Sequence, residues 1–232
     1  MKYTVSVMCL IFLLTGLLTA QQQESSFFVT YGYLQSFAPD KITDFWRNGF
    51  QGGIGYGYSF YPCFTLLGTV DYIRWHLNEE RFKATFLNGS FADTPLSVNG
   101  GTVSSWNFSV HIKYSFKSIN NVVDPYITGG AGLFLVSLNN TTGTTDTARM
   151  WIDGIKDIRP GLTAGSGARV LLGKRFGYSI NAQLFYLFTK ESYTIAYRTD
   201  NGINGPVHEA VPVNINSDIK FVLINVGVFV RF

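Results

Sequence analysis

The C-terminal stretch Lys220-Phe-Val-Leu-Ile-Asn-Val-Gly-Val-Phe-Val-Arg-Phe232 constrains the fold of this chain more than any other. Val222, Ile224, Val226, Val228, Val230 and Phe232 share one parity, while Leu223, Asn225, Gly227, Phe229 and Arg231 share the other. Alternation over this length belongs to a β-strand, whose successive side chains point to opposite faces. One face is continuously β-branched up to a terminal aromatic, and the other mixes glycine, amide and guanidinium. Such a strand suits a wall with lipid on one side and a polar interior on the other.

The same period recurs along the chain. Strands are predicted at 27–34, 50–60, 63–75, 105–116, 125–138, 160–172 and 177–193, ahead of the closing strand. In the clearest of them Trp106, Phe108, Val110, Ile112, Tyr114 and Phe116 oppose Ser105, Asn107, Ser109, His111, Lys113 and Ser115. In the second, Phe50, Ile54, Tyr56, Tyr58 and Phe60 oppose Gln51, Gly53, Gly55, Gly57 and Ser59. The small set is expected to face inward, where a narrow barrel lacks room. Short connections at 61–62, 117–124 and 173–176 alternate with long ones at 35–48, 77–103, 139–159 and 194–217. The fold class that follows is all-β, an eight-stranded antiparallel up-and-down transmembrane β-barrel with both termini on the short-turn side.

The N-terminus bears on the same reading. Lys2 precedes an apolar run from Val5 to Leu18, followed by Thr19-Ala20 and the polar Gln21-Gln22-Gln23. This is the layout of a cleavable secretory signal peptide, shorter than the roughly 20 residues a membrane-spanning helix needs. Residues 1–20 are therefore expected to be removed, leaving 21–232 as one barrel domain. Removal of Lys2 brings the 18 basic residues still closer to the 15 acidic ones, too even a balance for a nucleic-acid partner. Hydrophobic residues make up 46% of the chain and charged ones only 14%, against about 25% charged in an average soluble domain. With no long apolar run after residue 20, the apolar residues must be spread by alternation, as in a membrane barrel. Cys9 lies in the leader, so Cys63 alone remains, which excludes an internal disulfide and a cysteine-based metal site.

The C-terminal aromatic strand and the Gly-Ala-Gly run of Tyr126-Ile-Thr-Gly-Gly-Ala-Gly-Leu133 resemble the small eight-stranded bacterial outer-membrane barrels of the OmpX, OmpA membrane-domain and OmpW type, including the barrel domains of Bacteroidota. The resemblance implies the outer membrane of a Gram-negative cell. It implies contact with outer-membrane lipid and lipopolysaccharide, and reading of the strand ending in Phe232 by the barrel-assembly machinery. A soluble lipocalin-like barrel, with its apolar face inward around a small ligand, is the alternative. The bulk of the aromatic face and the small size of the other favour lipid outside.

On inward parity fall Asp71, Asn107, His111, Lys113, Arg169, Asn181, Gln183 and Asn225. Lys113, Arg169 and Asn181 are placed low in the wall, near the short turns, with Asp71, His111, Gln183 and Asn225 nearer its middle. Buried charges need partners, and Asp71 is expected to pair with Lys113 or Arg169. These residues are read as a polar network that largely fills the lumen of a non-enzymatic protein without cofactor or metal, acting structurally or through surface contacts of its long loops. Two alternatives stand beside that reading: a narrow porin-like channel for small solutes, and an outer-membrane lipid-modifying enzyme using His76 or His208. Met150-Trp151-Ile152, with the aromatic and charged residues of 77–103, is a candidate contact surface for an extracellular ligand, and Asp146-Thr147-Ala148 resembles an O-glycosylation triplet of Bacteroidota.

Overall fold

The computed structural model describes residues 24–38, 45–81, 97–119, 122–144, 149–152, 154–188, 193–195, 197–200, 206–207, 213–215 and 218–232. The expected leader, Asp146-Thr147-Ala148, His208 and the aromatic residues of 82–96 lie outside them.

Eight long strands close on themselves: β1 (Glu24–Ala38), β2 (Asn48–Tyr61), β3 (Phe64–Trp75), β4 (Val103–Ser115), β5 (Val123–Leu138), β6 (Ile155–Leu171), β7 (Phe176–Leu187) and β8 (Ile219–Arg231). Each pairs antiparallel with its neighbour in sequence, and β1 pairs with β8 from Ser26↔Arg231 to Ala38↔Lys220. Phe232 completes this seam by exchanging two backbone hydrogen bonds of 3.0 Å with Ser25. A wall without an edge leaves no unpaired backbone group facing hydrocarbon.

Parity sets which way each side chain points. Val222, Ile224, Val226 and Val228 are 36–55% exposed on the outer face, whereas Phe221, Leu223, Asn225 and Phe229 are at most 4% exposed. Around the barrel, Val29, Tyr31, Ile54, Tyr56, Phe108, Ile112, Tyr178 and Ile180 continue the outer band. An apolar belt of this extent is stable against lipid and unstable against water, which removes the lipocalin-like arrangement.

Several boundaries differ from those read in the sequence, because a strand ends where its partner ends. β6 starts at Ile155 because Ile155–Arg159 goes on pairing with Phe134–Leu138 of β5. β7 stops at Leu187, short of the expected 193, because its partner in β8 begins at Ile219. Phe116 falls after β4. The first tight turn is Pro62-Cys63, and Tyr61 pairs with Phe64 across a bulge.

The long loops carry strands of their own. Ser97–Asn99, Thr141–Thr144, Arg149–Ile152, Tyr197–Asp200 and Pro206–Val207 form a five-stranded sheet, and Tyr193–Ile195 pairs with Val213–Ile215. These pieces are two to four residues long, too short for periodicity to register in sequence. β5 and β6, at 16 and 17 residues, exceed the roughly 9–11 that a tilted strand needs to span a bilayer. Their hairpin continues beyond the barrel directly into the paired strands Thr141–Thr144 and Arg149–Ile152.

Candidate functional site: the barrel interior

The interior is built in tiers, each defined by which inward residues the register places side by side. In the middle of the wall Asp71 of β3 lies opposite Gly53 of β2 and Asn107 of β4. Its carboxylate accepts hydrogen bonds from Gln51 Nε2 at 2.6 Å and from Asn107 Nδ2 at 3.1 Å. Gln51 Nε2 also donates to Thr30 Oγ1 at 3.0 Å, and Ser109 Oγ donates to Asn107 Oδ1 at 2.6 Å. Glycine at 53 is required here, because a Cβ there would run into Asp71 Oδ1. The expected pairing of Asp71 with Lys113 or Arg169 does not occur. Lys113 lies opposite Thr65, six residues along β3 from Asp71, or about 20 Å at roughly 3.4 Å per residue. The charge of Asp71 is met by amide donors, which satisfy its oxygens without adding a second buried charge.

Below this tier His111 Nδ1 and Thr163 Oγ1 share a hydrogen bond of 3.0 Å, with Thr69 Oγ1 at 3.5 Å from Nε2. Nearer the short turns Lys113 Nζ sits 5.6 Å from the centre of the Tyr126 ring, and Arg169 Cζ sits 5.0 Å from that of Phe229. Asn181 Nδ2 donates to Tyr126 Oη at 3.3 Å. At the mouth Arg231 binds Asp124 at 2.9 Å and Glu24 at 3.6 Å. Asn181 pairs directly with Asn225, so the two share one level instead of lying low and mid-wall respectively. Gln183 and Asn225, with Asp71, His111, Lys113, Arg169 and Asn181, line one cavity of about 50 Å³.

The opposite end corrects the expectation of a polar filling. Leu34, Ile73, Trp75, Phe134, Phe185, Leu187, Phe221 and Leu223 form a buried cluster, joined by Phe45 and Trp46 from the first long loop. Phe185 and Phe221 stack with ring centres 4.6 Å apart and planes 6° apart. Phe134 meets Phe185 edge-on at 5.9 Å, and Trp75 meets Phe221 edge-on at 5.5 Å. The two indoles find acceptors, Trp46 at Gly101 O (2.6 Å) and Trp75 at Ser36 Oγ (3.0 Å), so the cluster buries no bare N–H from either ring. The polar network thus occupies one part of the lumen, and an aromatic plug, with the buried Arg159–Asp157 ion pair (2.6 Å) opposite Phe134 and Val136, closes the other. Gln51, Tyr126 and Thr163 belong to the polar part and were legible only as inward-parity residues.

His76 is exposed at the rim, its ring 5.4 Å from that of Phe50. Among the described residues no carboxylate or hydroxyl is hydrogen-bonded to it. Cys63 is a half-buried free thiol in the first short turn. Among the described residues no three His, Cys, Asp or Glu side chains converge on a point where a metal ion could be held.

The sequence from residue 10 to residue 232 matches the family described as outer membrane protein beta-barrel domain. This chain belongs to that family. In outer-membrane barrels the short turns are periplasmic and the long loops extracellular, so the aromatic plug closes the extracellular end and Arg231 stands at the periplasmic mouth. A major outer membrane protein from Thermus thermophilus shares the fold, with 13% identity over 91% of this chain and 100% of that one and a TM-score of 0.55. Neisserial surface protein A (15% identity, 90% and 97% covered, TM-score 0.45) and Ail, the attachment invasion locus protein of Yersinia pestis (15% identity, 91% and 100% covered, TM-score 0.46), are also similar. At these identities the likeness is one of fold alone. No curated protein matches the sequence.

The mid-wall network gives a direct prediction. Asn107→Ala removes a donor from the Asp71 carboxylate and the acceptor of Ser109, and is expected to lower the unfolding free energy by about 1–3 kcal/mol. The measurement is urea unfolding of the barrel in phospholipid vesicles, with the midpoint shifted and the slope unchanged. An unshifted midpoint would show that the network contributes nothing to stability.

Proposed function

We propose that this outer-membrane barrel is a closed anchor that acts at the extracellular surface, through the sheet built by its long loops, and that it neither conducts solutes nor catalyses a reaction. The aromatic plug carries this reading. A solute entering from outside would meet the Phe185–Phe221 stack and the rings set against it, with the buried Arg159–Asp157 ion pair opposite Phe134 tied up in its own 2.6 Å contact. The loop sheet supports the second half, since it joins segments of three separate loops into one surface rooted on the β5–β6 hairpin. A scaffold-borne loop surface is the usual place for recognition in such folds. Its proposed partners are lipopolysaccharide and other components of the cell surface. Export through the leader at residues 1–20 and recognition of the strand ending in Phe232 by the assembly machinery belong to the same proposal.

Purified barrel in planar bilayers is expected to show no steady conductance. Purified lipopolysaccharide is expected to bind it, and replacing residues 141–152 with a Gly-Ser linker is expected to abolish binding while heat-dependent gel mobility persists. Steady channel steps altered by Lys113→Ala or Arg169→Ala would overturn the reading in favour of a narrow channel. Turnover of lipid A or phospholipid, lost on replacing His76 or His208, would overturn it in favour of an enzyme.

A further inference from the structure

We propose that the periplasmic part of the lumen is a binding site for one tetrahedral oxyanion, inorganic phosphate or sulfate, held between Lys113 and Arg169. The inference stands on the interior alone and is independent of the role given to the loops. Lys113 and Arg169 are 3% and 8% exposed and line the same cavity of about 50 Å³. Among the described residues their charged ends touch only ring faces, those of Tyr126 and Phe229. Asp124 stands opposite Arg169 in the register, but its carboxylate and that of Glu24 are paired with Arg231, and Asp71, which lines the far end of the same cavity, is held by Gln51 and Asn107. Two buried cations beside a cavity, with every nearby carboxylate already engaged, call for an anion in that cavity.

Size and donor geometry select the class of anion. A water position needs roughly 10–15 Å³, so a cavity of about 50 Å³ holds roughly three to five water-sized groups, a range that includes the four oxygens of a tetrahedral oxyanion. The Arg169 guanidinium presents a planar fork that matches two such oxygens, and the Lys113 ammonium adds a point charge with three donors. Tyr126 accepts from Asn181 at 3.3 Å, which leaves its own proton to donate. Asn225 lines the same cavity. The aromatic plug closes the extracellular end, so the ion arrives from the periplasm past Arg231.

The test uses the full mature barrel in a detergent without phosphate groups, following its unfolding temperature as inorganic phosphate replaces chloride at constant ionic strength. A ligand that binds only the folded state raises that temperature saturably. Lys113→Met and Arg169→Gln are each expected to weaken the effect at least about tenfold, as loss of one charged hydrogen bond does. Should either fail to give the heat-dependent mobility of a folded barrel, Tyr126→Phe keeps the ring under Lys113, removes one donor and is expected to weaken binding several-fold. Absence of any saturable rise over chloride in the unaltered protein overturns the proposal. So does an undiminished rise in the folded variants, because phosphate would then bind elsewhere.

Discussion

Phe221→Ala is expected to lower the unfolding free energy of the barrel by about 3–5 kcal/mol, the range for truncating a fully buried aromatic ring. Phe221 is 0% exposed, stacked on Phe185 and abutted edge-on by Trp75, so its loss removes two ring contacts as well as buried area. Each ring pair adds roughly 0.5–1.5 kcal/mol beyond burial. The cost falls toward the upper end because the site cannot collapse: the plug is enclosed by a wall whose diameter is fixed by backbone hydrogen bonds to both neighbouring strands of β8. Urea unfolding in phospholipid vesicles measures the effect. The outward neighbour Val222→Ala is the control, since its side chain leaves one apolar surrounding for another and is expected to cost less than about 1 kcal/mol. Equal costs at the two positions would mean that the plug is loose filling, and would remove the main support for a closed barrel.

The strands, their parity and the even alternation of short and long connections were legible because each is a property of one segment read alone. The contents of the lumen depend on which strands stand side by side, and that was not legible. Phe134, Phe185, Phe221 and Phe229 sit on inward parity among many glycines, and a size argument averaged over the whole interior places bulk outside. The register shows where the bulk fits. A Cβ at Gly161 would meet Phe134 Cε2 at 2.8 Å, and one at Gly177 would meet the Phe229 ring, so glycines of one strand make room for aromatic rings of the next. The missing Asp71–Lys113 pair has the same cause: both residues face inward, but register separates them by six residues. The loop strands stayed hidden for a different reason, because segments such as Thr141–Thr144 and Arg149–Ile152 are strands only through each other.

A charge on the outer face tests the orientation of the whole barrel. Val226 is the eighth of the 13 residues of β8, 55% exposed, with Tyr31 and Ile180 as its cross-strand neighbours. Val226→Arg places a guanidinium near the middle of the hydrocarbon and is expected to cost about 2–4 kcal/mol. Leu172→Arg, comparably exposed but in the short turn after β6, should cost only about 0–1 kcal/mol, because an arginine near the interface reaches water. Folding equilibria into phospholipid vesicles compare the two. The difference arises from depth in lipid: both side chains are comparably accessible in the isolated molecule, and in water neither substitution would carry a penalty for exposure. Equal costs would therefore contradict a bilayer around β8, and with it the inside-out arrangement on which the closed anchor and the buried anion site both depend.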